Sequence, residues 1–265
     1  MDLANVVILA VVQGLTEYLP ISSTAHLLVL QKLLNTQPSV LFTIVLQLGT
    51  IFASIVYFRK KILSVIKHSA ANVKSGNIKN DFGVWILIGI IPVIIVGFVA
   101  SNYLDQIYNN PIIIVITSIA FGFMFYGIEV FYKSSKTHLQ QQDLKLINIV
   151  KIGLMQILSL IPGVSRSGAT ISGGLAQKID FKESIEISFL MSIPVMLAAG
   201  VYELLKHIGS FTPELLTQLL IGVIIAYFAG LVSIKLTLGF LLRKGFLPFL
   251  IYRVLFGLFV LIVVA

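Results

Sequence analysis

The chain has 265 residues, of which 57% are hydrophobic and only 11% are charged, and its mean hydropathy is +1.00. Because soluble domains carry about 25% charged and roughly 45–50% apolar residues, this composition excludes a soluble globular protein and predicts an all-α, multi-pass membrane protein. The net charge of +8 fits basic loops on the cytoplasmic side of a membrane, so we expect no nucleic-acid partner.

Six apolar stretches are long enough to cross a bilayer, which takes about 20 helical residues. They lie near residues 41–58, 82–100, 111–131, 184–205, 214–238 and 247–265. Two further apolar segments, 1–34 and 147–177, are interrupted by QGLTEYLPISSTAH and SLIPGVSRSGATISGG. Irregular backbone at membrane depth survives only where protein or water satisfies it. We therefore expect six transmembrane helices and two re-entrant helix–loop–helix hairpins, with kinked spans as the alternative.

The two halves of the chain, 1–135 and 145–265, resemble each other. LIGIIPVIIVGFV in the first half aligns with LIGVIIAYFAGLV in the second, and LPISSTA resembles IPGVSRSGA. Two weaker matches fall in the same order, although chance similarity between apolar segments is the alternative. Three crossings between equivalent elements invert the second copy, so the hairpins can meet from opposite faces, as in transporters with inverted repeats. We expect one membrane domain built from two inverted halves.

Basic residues indicate the orientation of the spans. They are concentrated in 59–79, 133–151 and 243–244, whereas the loop 101–110 carries Asp105 and no Lys or Arg. Because cytoplasmic loops carry an excess of Lys and Arg, we expect the basic segments inside and both termini outside. The segment 59–81 could also bind anionic lipid headgroups, although its role in topology explains its charge equally well.

The first hairpin combines an acid, an amide, hydroxyls and an imidazole. Glu17 is predicted to lie in the bilayer, where a charged side chain costs about 2.5–3.5 kcal/mol. Gln13 precedes it by one helical turn, and oxygen ligands of this kind suit a hard cation such as Mg²⁺. If the second helix of the hairpin starts here, Ser23 and His26 are close enough for a hydroxyl–imidazole contact, and an imidazole can carry protons near neutral pH. Ser22 is expected to cap a helix.

The second hairpin offers a site for an anion. Arg166 is the one Lys or Arg of its loop, and Ser165, Ser167 and Thr170 add hydroxyls. A guanidinium beside a helix N-terminus suits a phosphate, whereas the Gly-Lys-Ser/Thr of a nucleotide-binding loop is lacking. If Arg166 meets Glu17, the pair either holds the hairpins together or serves phosphoryl transfer or hydrolysis.

These two segments, QGLTEYLPISSTAH and PGVSRSGATISGG, resemble the signature segments of the undecaprenyl-diphosphate phosphatase family of the bacitracin-resistance type, and the span layout agrees over essentially the whole chain. The resemblance implies an enzyme of the bacterial cell (inner) membrane that hydrolyses undecaprenyl diphosphate to undecaprenyl phosphate, recycling the lipid carrier for cell-wall synthesis. It also implies dependence on Mg²⁺ or Ca²⁺ and an active site on the outer side. A transporter or flippase of a polyprenyl phosphate lipid is the alternative, since inverted repeats suit alternating access.

The resemblance also implies roles for the first hairpin. Glu17 would be the metal-linked acid, and Gln13 occupies its partner position, where many relatives have Glu. That departure removes one negative charge, so position 13 either binds the metal or orients water or phosphate. Ser23 would be a candidate nucleophile with His26 as base or proton shuttle, and direct attack by water stays open.

In the second hairpin, by the same resemblance, Arg166 would clamp the diphosphate with help from Ser165 and Thr170. Ser22 is a weaker phosphate-binding candidate. Arg253 lies in the sixth predicted span, and we expect it to reach the cytoplasmic headgroups. The expected partners are a polyprenyl diphosphate lipid and membrane lipids, and a homodimer is compatible with the sequence.

Overall fold

The computed structural model describes residues 1–36, 39–108, 110–209 and 211–264, and these fold almost entirely into α-helices. In chain order the helices are α1 (Leu3–Thr16), α2 (Ser23–Leu33), α3 (Val40–Tyr57), α4 (Arg59–Lys74), α5 (Phe82–Gly89), α6 (Ile91–Tyr108), α7 (Pro111–Lys133), α8 (Leu146–Ile157), α9 (Arg166–Leu175), α10 (Phe181–Lys206), α11 (Pro213–Lys244) and α12 (Leu247–Val264). The predicted all-α class is confirmed.

Four helical segments are long and apolar enough to cross a membrane. They are Phe82–Ala100, Pro111–Lys133, Phe181–Lys206 and Pro213–Lys244. The predicted span at 41–58 qualifies only together with α4, from which it is bent by 75°. The predicted sixth span, α12, is a shorter apolar helix over the described residues, and residue 265 lies outside them. The chain is thus a multi-pass membrane protein with four or five candidate spans.

One helix is longer than predicted, because its sequence contains no residue that normally ends a helix. α6 continues to Tyr108, although a loop was expected from residue 101, because SNYLDQIY contains neither Gly nor Pro. The next helix begins with Asn110 accepting hydrogen bonds from its first turn and Pro111 as its first residue. Asn109, in the same predicted loop, lies outside the described residues. α11 ends at Lys244, and the following Gly245 has a φ of 66°, in the left-handed region.

Both predicted interruptions are present as turns between short helices. Residues 17–22 separate α1 from α2, and residues 158–165 separate α8 from α9. Each turn contains a proline, which cannot donate a helix hydrogen bond, and each ends in a serine with positive φ, 68° at Ser22 and 75° at Ser165. The two turns thus share the same local features, a proline and a final serine with positive φ.

Helices of the two halves pack against each other. One apolar core lies between α1, α3 and α11, and another between α5, α8 and α10. The closest approaches use glycine: a Cβ at Gly14 would collide with Ala229 of α11, and one at Gly153 with the carbonyl of Gly89. Small residues let membrane helices approach closely. This packing brings the two turns together at one cavity.

Candidate active site

A cavity of about 140 Å³ lies where the two hairpin turns meet. The first turn and the start of α2 contribute Glu17, Ser22 and Ser23, and the second turn contributes Ser165 and Arg166. The remaining wall comes from α3 and α10. Most of the predicted site residues therefore share one polar cavity inside an apolar protein.

Glu17 is the centre of the hydrogen bonds at this cavity. It follows α1 directly, so its carboxylate lies one turn beyond Gln13, whose amide Nε2 donates to Oε2 of Glu17 at 2.7 Å. The hydroxyl of Ser23 donates to the same oxygen at 2.7 Å. The other oxygen, Oε1, accepts from Nη2 of Arg166 at 3.0 Å. The carboxylate of Glu17, a residue that is only 7% exposed overall, is thus hydrogen-bonded to both hairpins.

Arg166, the first residue of α9, is only partly hydrogen-bonded. Its Nη2 donates to Glu17 and also lies 3.2 Å from the sulfur of Met196. Its Nε and Nη1 atoms are buried and have no hydrogen-bond partner among the described residues. Leaving a buried donor unpaired costs about 1–3 kcal/mol, and more for a charged group. Two such donors on a residue that lines a cavity are available for an anion.

The serines at the ends of the turns cap the helices that follow. The Ser22 hydroxyl accepts a hydrogen bond from the backbone N–H of Ala25, which confirms the expected capping role. Ser165 does the same for Gly168 at the start of α9. Positive φ values in non-glycine residues store strain and cluster at functional sites. Each cap also fixes a helix N-terminus, which favours negative charge, beside the cavity.

His26 does not contact Ser23, so that predicted contact is wrong. Its Nδ1 lies 2.7 Å from the carbonyl oxygen of Ser22, and its Nε2 lies 2.7 Å from the hydroxyl of Tyr252. The imidazole also stacks on Phe256 at 4.1 Å between ring centroids. The Ser23 hydroxyl donates to Glu17 instead, whereas the two imidazole nitrogens face the Ser22 carbonyl and the Tyr252 hydroxyl of α12. His26 therefore contacts the first turn from the side that faces α12.

Thr170, predicted to assist Arg166, lies outside the cavity lining. It is fully buried, donates to the carbonyl of Arg166 at 2.9 Å and lies 2.6 Å from the Ser188 hydroxyl. A hydroxyl bonded to the preceding helical turn and to α10 stabilises the packing of α9. The structure thus gives Thr170 a different position from the one expected.

Arg253 was expected to reach the lipid headgroups, and the structure shows that this is wrong. Its side chain is 1% exposed and donates only to backbone carbonyls: Nε to Pro20 at 2.6 Å, Nη1 to Ser118 at 2.9 Å and to Gly163 at 3.4 Å, and Nη2 to Val164 at 2.8 Å. One guanidinium therefore joins the turns of both hairpins. A cation within an apolar span was the sequence signal for such a role.

Three more polar residues line the cavity without having been predicted. They are Thr24 on α2, Gln47 on α3 and Ser159 in the second turn. Thr24 adjoins the predicted motif, but nothing in the sequence of α3 indicates that Gln47 faces it. Its position depends on how α3 packs between α1, α10 and α11.

The residues around Glu17 fit a divalent cation that is shared with a phosphate ligand. The described part of the chain has no group of three or more His, Cys, Asp or Glu side chains that could hold a metal alone. Gln13, however, is fully buried and its Oε1 has no hydrogen-bond partner there. Mg²⁺ commonly uses one or two carboxylates together with substrate phosphates. Glu17 and Gln13 are the residues that could hold such a cation.

Sequence comparison agrees with the class that the fold and site define, a polytopic membrane protein with a polar cavity where two helical turns meet. The family model described as bacitracin resistance protein BacA matches residues 6–259. Curated proteins named undecaprenyl-diphosphatase are similar over nearly their whole length. One from Methanococcus aeolicus is 35% identical over 98% of both chains. One from Fusobacterium nucleatum is 36% identical over 97% of this chain and 98% of its own. One from Neisseria gonorrhoeae is 33% identical over 96% and 92%.

The chain belongs to the BacA family. The family resemblance inferred from the two hairpin motifs is therefore confirmed.

Proposed function

We propose that this protein hydrolyses undecaprenyl diphosphate to undecaprenyl phosphate and inorganic phosphate. The names of its curated relatives support this activity over the transport alternative. The structural observation that carries it is the incomplete pairing of Arg166, whose Nε and Nη1 are buried without partners in the described part of the chain. Buried polar groups normally have hydrogen-bond partners. If the Arg166–Glu17 ion pair served only to hold the hairpins together, we would expect the protein itself to supply partners for Nε and Nη1.

Arg166 is proposed to bind the terminal phosphate. A guanidinium makes strong charge-assisted hydrogen bonds to phosphate oxygens, and its unpaired Nε and Nη1, which point in different directions, can each donate one. The N-terminus of α9, which begins at Arg166 and is capped by Ser165, adds the favourable end of a helix dipole. Ser22 at the start of α2 gives the same kind of helix end from the other hairpin.

Two chemical routes fit the contact between Ser23 and Glu17. In the first, the Ser23 oxygen attacks the terminal phosphorus, the bond to the bridging oxygen breaks, and undecaprenyl phosphate leaves while the hydroxyl proton passes to Glu17. Water then cleaves the phosphoserine and releases phosphate. In the second, water attacks directly and gives its proton to Glu17, which Ser23 orients. The 2.7 Å hydrogen bond from Ser23 to Glu17 supports Glu17, rather than His26, as the acceptor of the proton.

A divalent cation, Mg²⁺ or Ca²⁺, is proposed as the cofactor. Glu17 and Gln13 would hold it, together with oxygens of the diphosphate. When bound, such an ion neutralises charge on the phosphoryl oxygens and makes phosphorus easier to attack. Gln13 adds no negative charge, so Glu17 is the one carboxylate at the cavity.

We further propose that the chain forms six transmembrane helices and two re-entrant hairpins in two inverted halves, 1–135 and 145–265. The matching turns support this, because Gln13 and Ser22 in the first are as far apart in sequence as Gln156 and Ser165 in the second. Both glutamines are fully buried and both serines are caps. With the basic segments inside, both termini and the cavity face outward across the bacterial inner membrane.

The orientation can be tested by cysteine labelling, because the chain has no natural cysteine. Asn77→Cys should be labelled only from the cytoplasm, and Gly209→Cys only from outside. An added Cβ at Gly209 has nothing within 4 Å, so this variant should fold normally. The reverse labelling pattern would contradict the orientation.

The activity is tested by phosphate release from purified protein supplied with a polyprenyl diphosphate. We expect release with Mg²⁺, loss of release with EDTA, and recovery when Mg²⁺ is added back. The Arg166→Ala variant should release little phosphate under all three conditions. A well-folded wild-type protein that releases no phosphate would overturn the proposal, and release that is indifferent to EDTA would overturn the cation.

A further inference from the structure

The helix α4 lies at a steep angle to the apolar helix before it. α3 ends at Tyr57, α4 begins at Arg59, and the two axes differ by 75°. None of the residues of α4 is buried, so it does not continue into the protein interior. A helix that turns sharply at the end of an apolar span, and stays on the surface, runs close to the membrane plane.

One side of α4 is fixed to the rest of the protein. Ser69 and Asn72 donate to the two carboxylate oxygens of Asp81 at 2.6 and 2.8 Å. Lys61 forms an ion pair with Glu186 of α10 at 3.1 Å. These residues are half-buried or buried, and they hold the helix in one rotational setting. The other sides of α4 therefore face fixed directions relative to the rest of the protein.

A second side of α4 is apolar and exposed. Leu63, Ile66 and Val73 are 55%, 57% and 52% exposed. At 100° per residue they fall within one 80° sector of the helix. The helix has no protein neighbour on this sector in the described part of the chain that would bury these side chains. In a membrane protein such a sector is covered by lipid.

A third side of α4 is basic and lies next to the apolar one. Lys60, Lys67 and Lys74 are all exposed and recur at every seventh position, so they form a stripe along the helix that begins about 20° from Leu63. α4 contains no Asp or Glu. An apolar stripe beside a basic stripe is the pattern of helices that lie in the membrane interface.

We propose that α4 lies in the interface and binds anionic phospholipid headgroups. Lys60, Lys67 and Lys74 contact the headgroup phosphates, while Leu63, Ile66 and Val73 enter the upper acyl region. Lys and Arg near a negatively charged leaflet contribute about 1 kcal/mol each. Positive charge that served only to orient the spans would need neither an ordered lysine stripe nor an adjoining apolar one. The inference is independent of the phosphatase activity.

The test uses the purified full-length protein in neutral detergent, with thermal unfolding as the measurement. Dioleoylphosphatidylglycerol is added in steps, and zwitterionic dioleoylphosphatidylcholine serves as the comparison lipid. A ligand that binds only the folded state raises the midpoint temperature of unfolding. We therefore expect the anionic lipid to raise the midpoint of the protein by about 3 °C or more. High salt should reduce this rise, because it screens exposed charges.

Two triple variants with the same change in charge separate α4 from general basicity. Replacing Lys60, Lys67 and Lys74 by Gln should remove most of the rise. The matched control replaces three exposed lysines outside α4 by Gln, Lys136, Lys145 and Lys151, and it should respond like the wild type. Equal responses of the two variants, equal effects of the two lipids, or a salt-independent rise would each overturn the proposal. Native mass spectrometry of bound lipid gives a second readout should the α4 variant unfold early.

Discussion

Glu17 and Arg166 lie 149 positions apart in the chain, yet Nη2 of Arg166 donates to Oε1 of Glu17 at 3.0 Å. Each residue belongs to a different hairpin, and the contact forms where both turns meet. Both side chains are largely buried, with exposed fractions of 5% for Glu17 and 11% for Arg166. Burying opposite charges costs several kcal/mol per ion, and the cost is offset only when hydrogen bonding is complete. In Arg166 it is incomplete, because Nε and Nη1 have no hydrogen-bond partner among the described residues, and the proposed phosphate ligand rests on this observation.

The first prediction concerns the guanidinium of Arg166. Arg166→Ala should lower kcat/KM at least about 100-fold, because it removes the donors aimed at the phosphate. Arg166→Lys keeps the charge but not the fork of donors, so its kcat/KM should lie between that of Ala and the wild type. Phosphate release at varied substrate concentration measures both. Arg243→Ala, at an exposed arginine on α11, should match the wild type, and a wild-type rate for Arg166→Ala would place the phosphate elsewhere.

A second prediction distinguishes a positioning role of His26 from a role as base. The amide of His26→Asn can still donate to the Ser22 carbonyl as Nδ1 does, but it cannot titrate. If the imidazole only orders the turn, His26→Asn should keep phosphate release within about tenfold of the wild type, roughly the loss of one hydrogen bond. His26→Ala should lose more. Equal loss in both variants would restore His26 as a proton carrier.

The third prediction concerns Arg253, which joins both turns. Arg253→Met leaves four buried carbonyls without this donor, so we expect a loss of about 3 kcal/mol or more of stability. The thermal midpoint in detergent should fall by about 6 °C or more. Arg243→Met makes the same replacement at an exposed site and should leave the midpoint unchanged. Similar midpoints for the two variants would show that the carbonyl contacts contribute little.

The fourth prediction follows from the ionisation of Asp81, outside the spans. Burial opposes its charge, but hydrogen bonds from Ser69, Asn72 and the backbone N–H groups of Val84 and Gly83 outweigh burial and hold the pKa of the carboxyl below its usual 3.8. Because the pKa is lower in the folded chain, the ionised group stabilises the fold above about pH 4, and this contribution is lost as the pH falls through the folded pKa.

Asp81→Asn therefore should lower the thermal midpoint most at neutral pH, by about 2–4 °C, and least in acid, once the carboxyl is protonated in the folded wild type. Asp2→Asn, at an exposed carboxylate that makes no side-chain cap hydrogen bond, is the matched control and should show no such trend. An Asp81→Asn midpoint that differs from the wild type equally at all pH values would contradict the ionisation argument.

The helices and their interruptions could be predicted because they depend on local sequence. Long apolar runs predict the spans, and proline and polar residues at 17–22 and 158–165 predict the turns. The meeting of Glu17 with Arg166 could be inferred from the repeat and from the cost of an isolated charge in a membrane. These arguments need no knowledge of side-chain direction.

What could not be predicted depends on direction and packing. Ser23 and His26 are three residues apart on α2 and could have met there, but Ser23 donates to Glu17, and the imidazole lies between the Ser22 carbonyl and Tyr252. The Arg253 side chain is long enough to reach the headgroups. Its direction, toward the two hairpin turns, is set by the packing of α12 against α7. Gln47 faces the cavity because of the way α3 is rotated among its neighbouring helices. No sequence motif predicts that rotation.

The most direct test of the proposed site is phosphate release by Glu17→Gln, compared with Glu214→Gln at an exposed glutamate of α11. Glu17→Gln keeps the shape of the side chain but removes the charge that pairs with Arg166 and accepts from Ser23. We expect release from a polyprenyl diphosphate with Mg²⁺ to fall at least about 100-fold, while the folded protein persists in detergent and Glu214→Gln stays at the wild-type rate. A folded Glu17→Gln protein with wild-type release would contradict the assignment of this cavity as the active site.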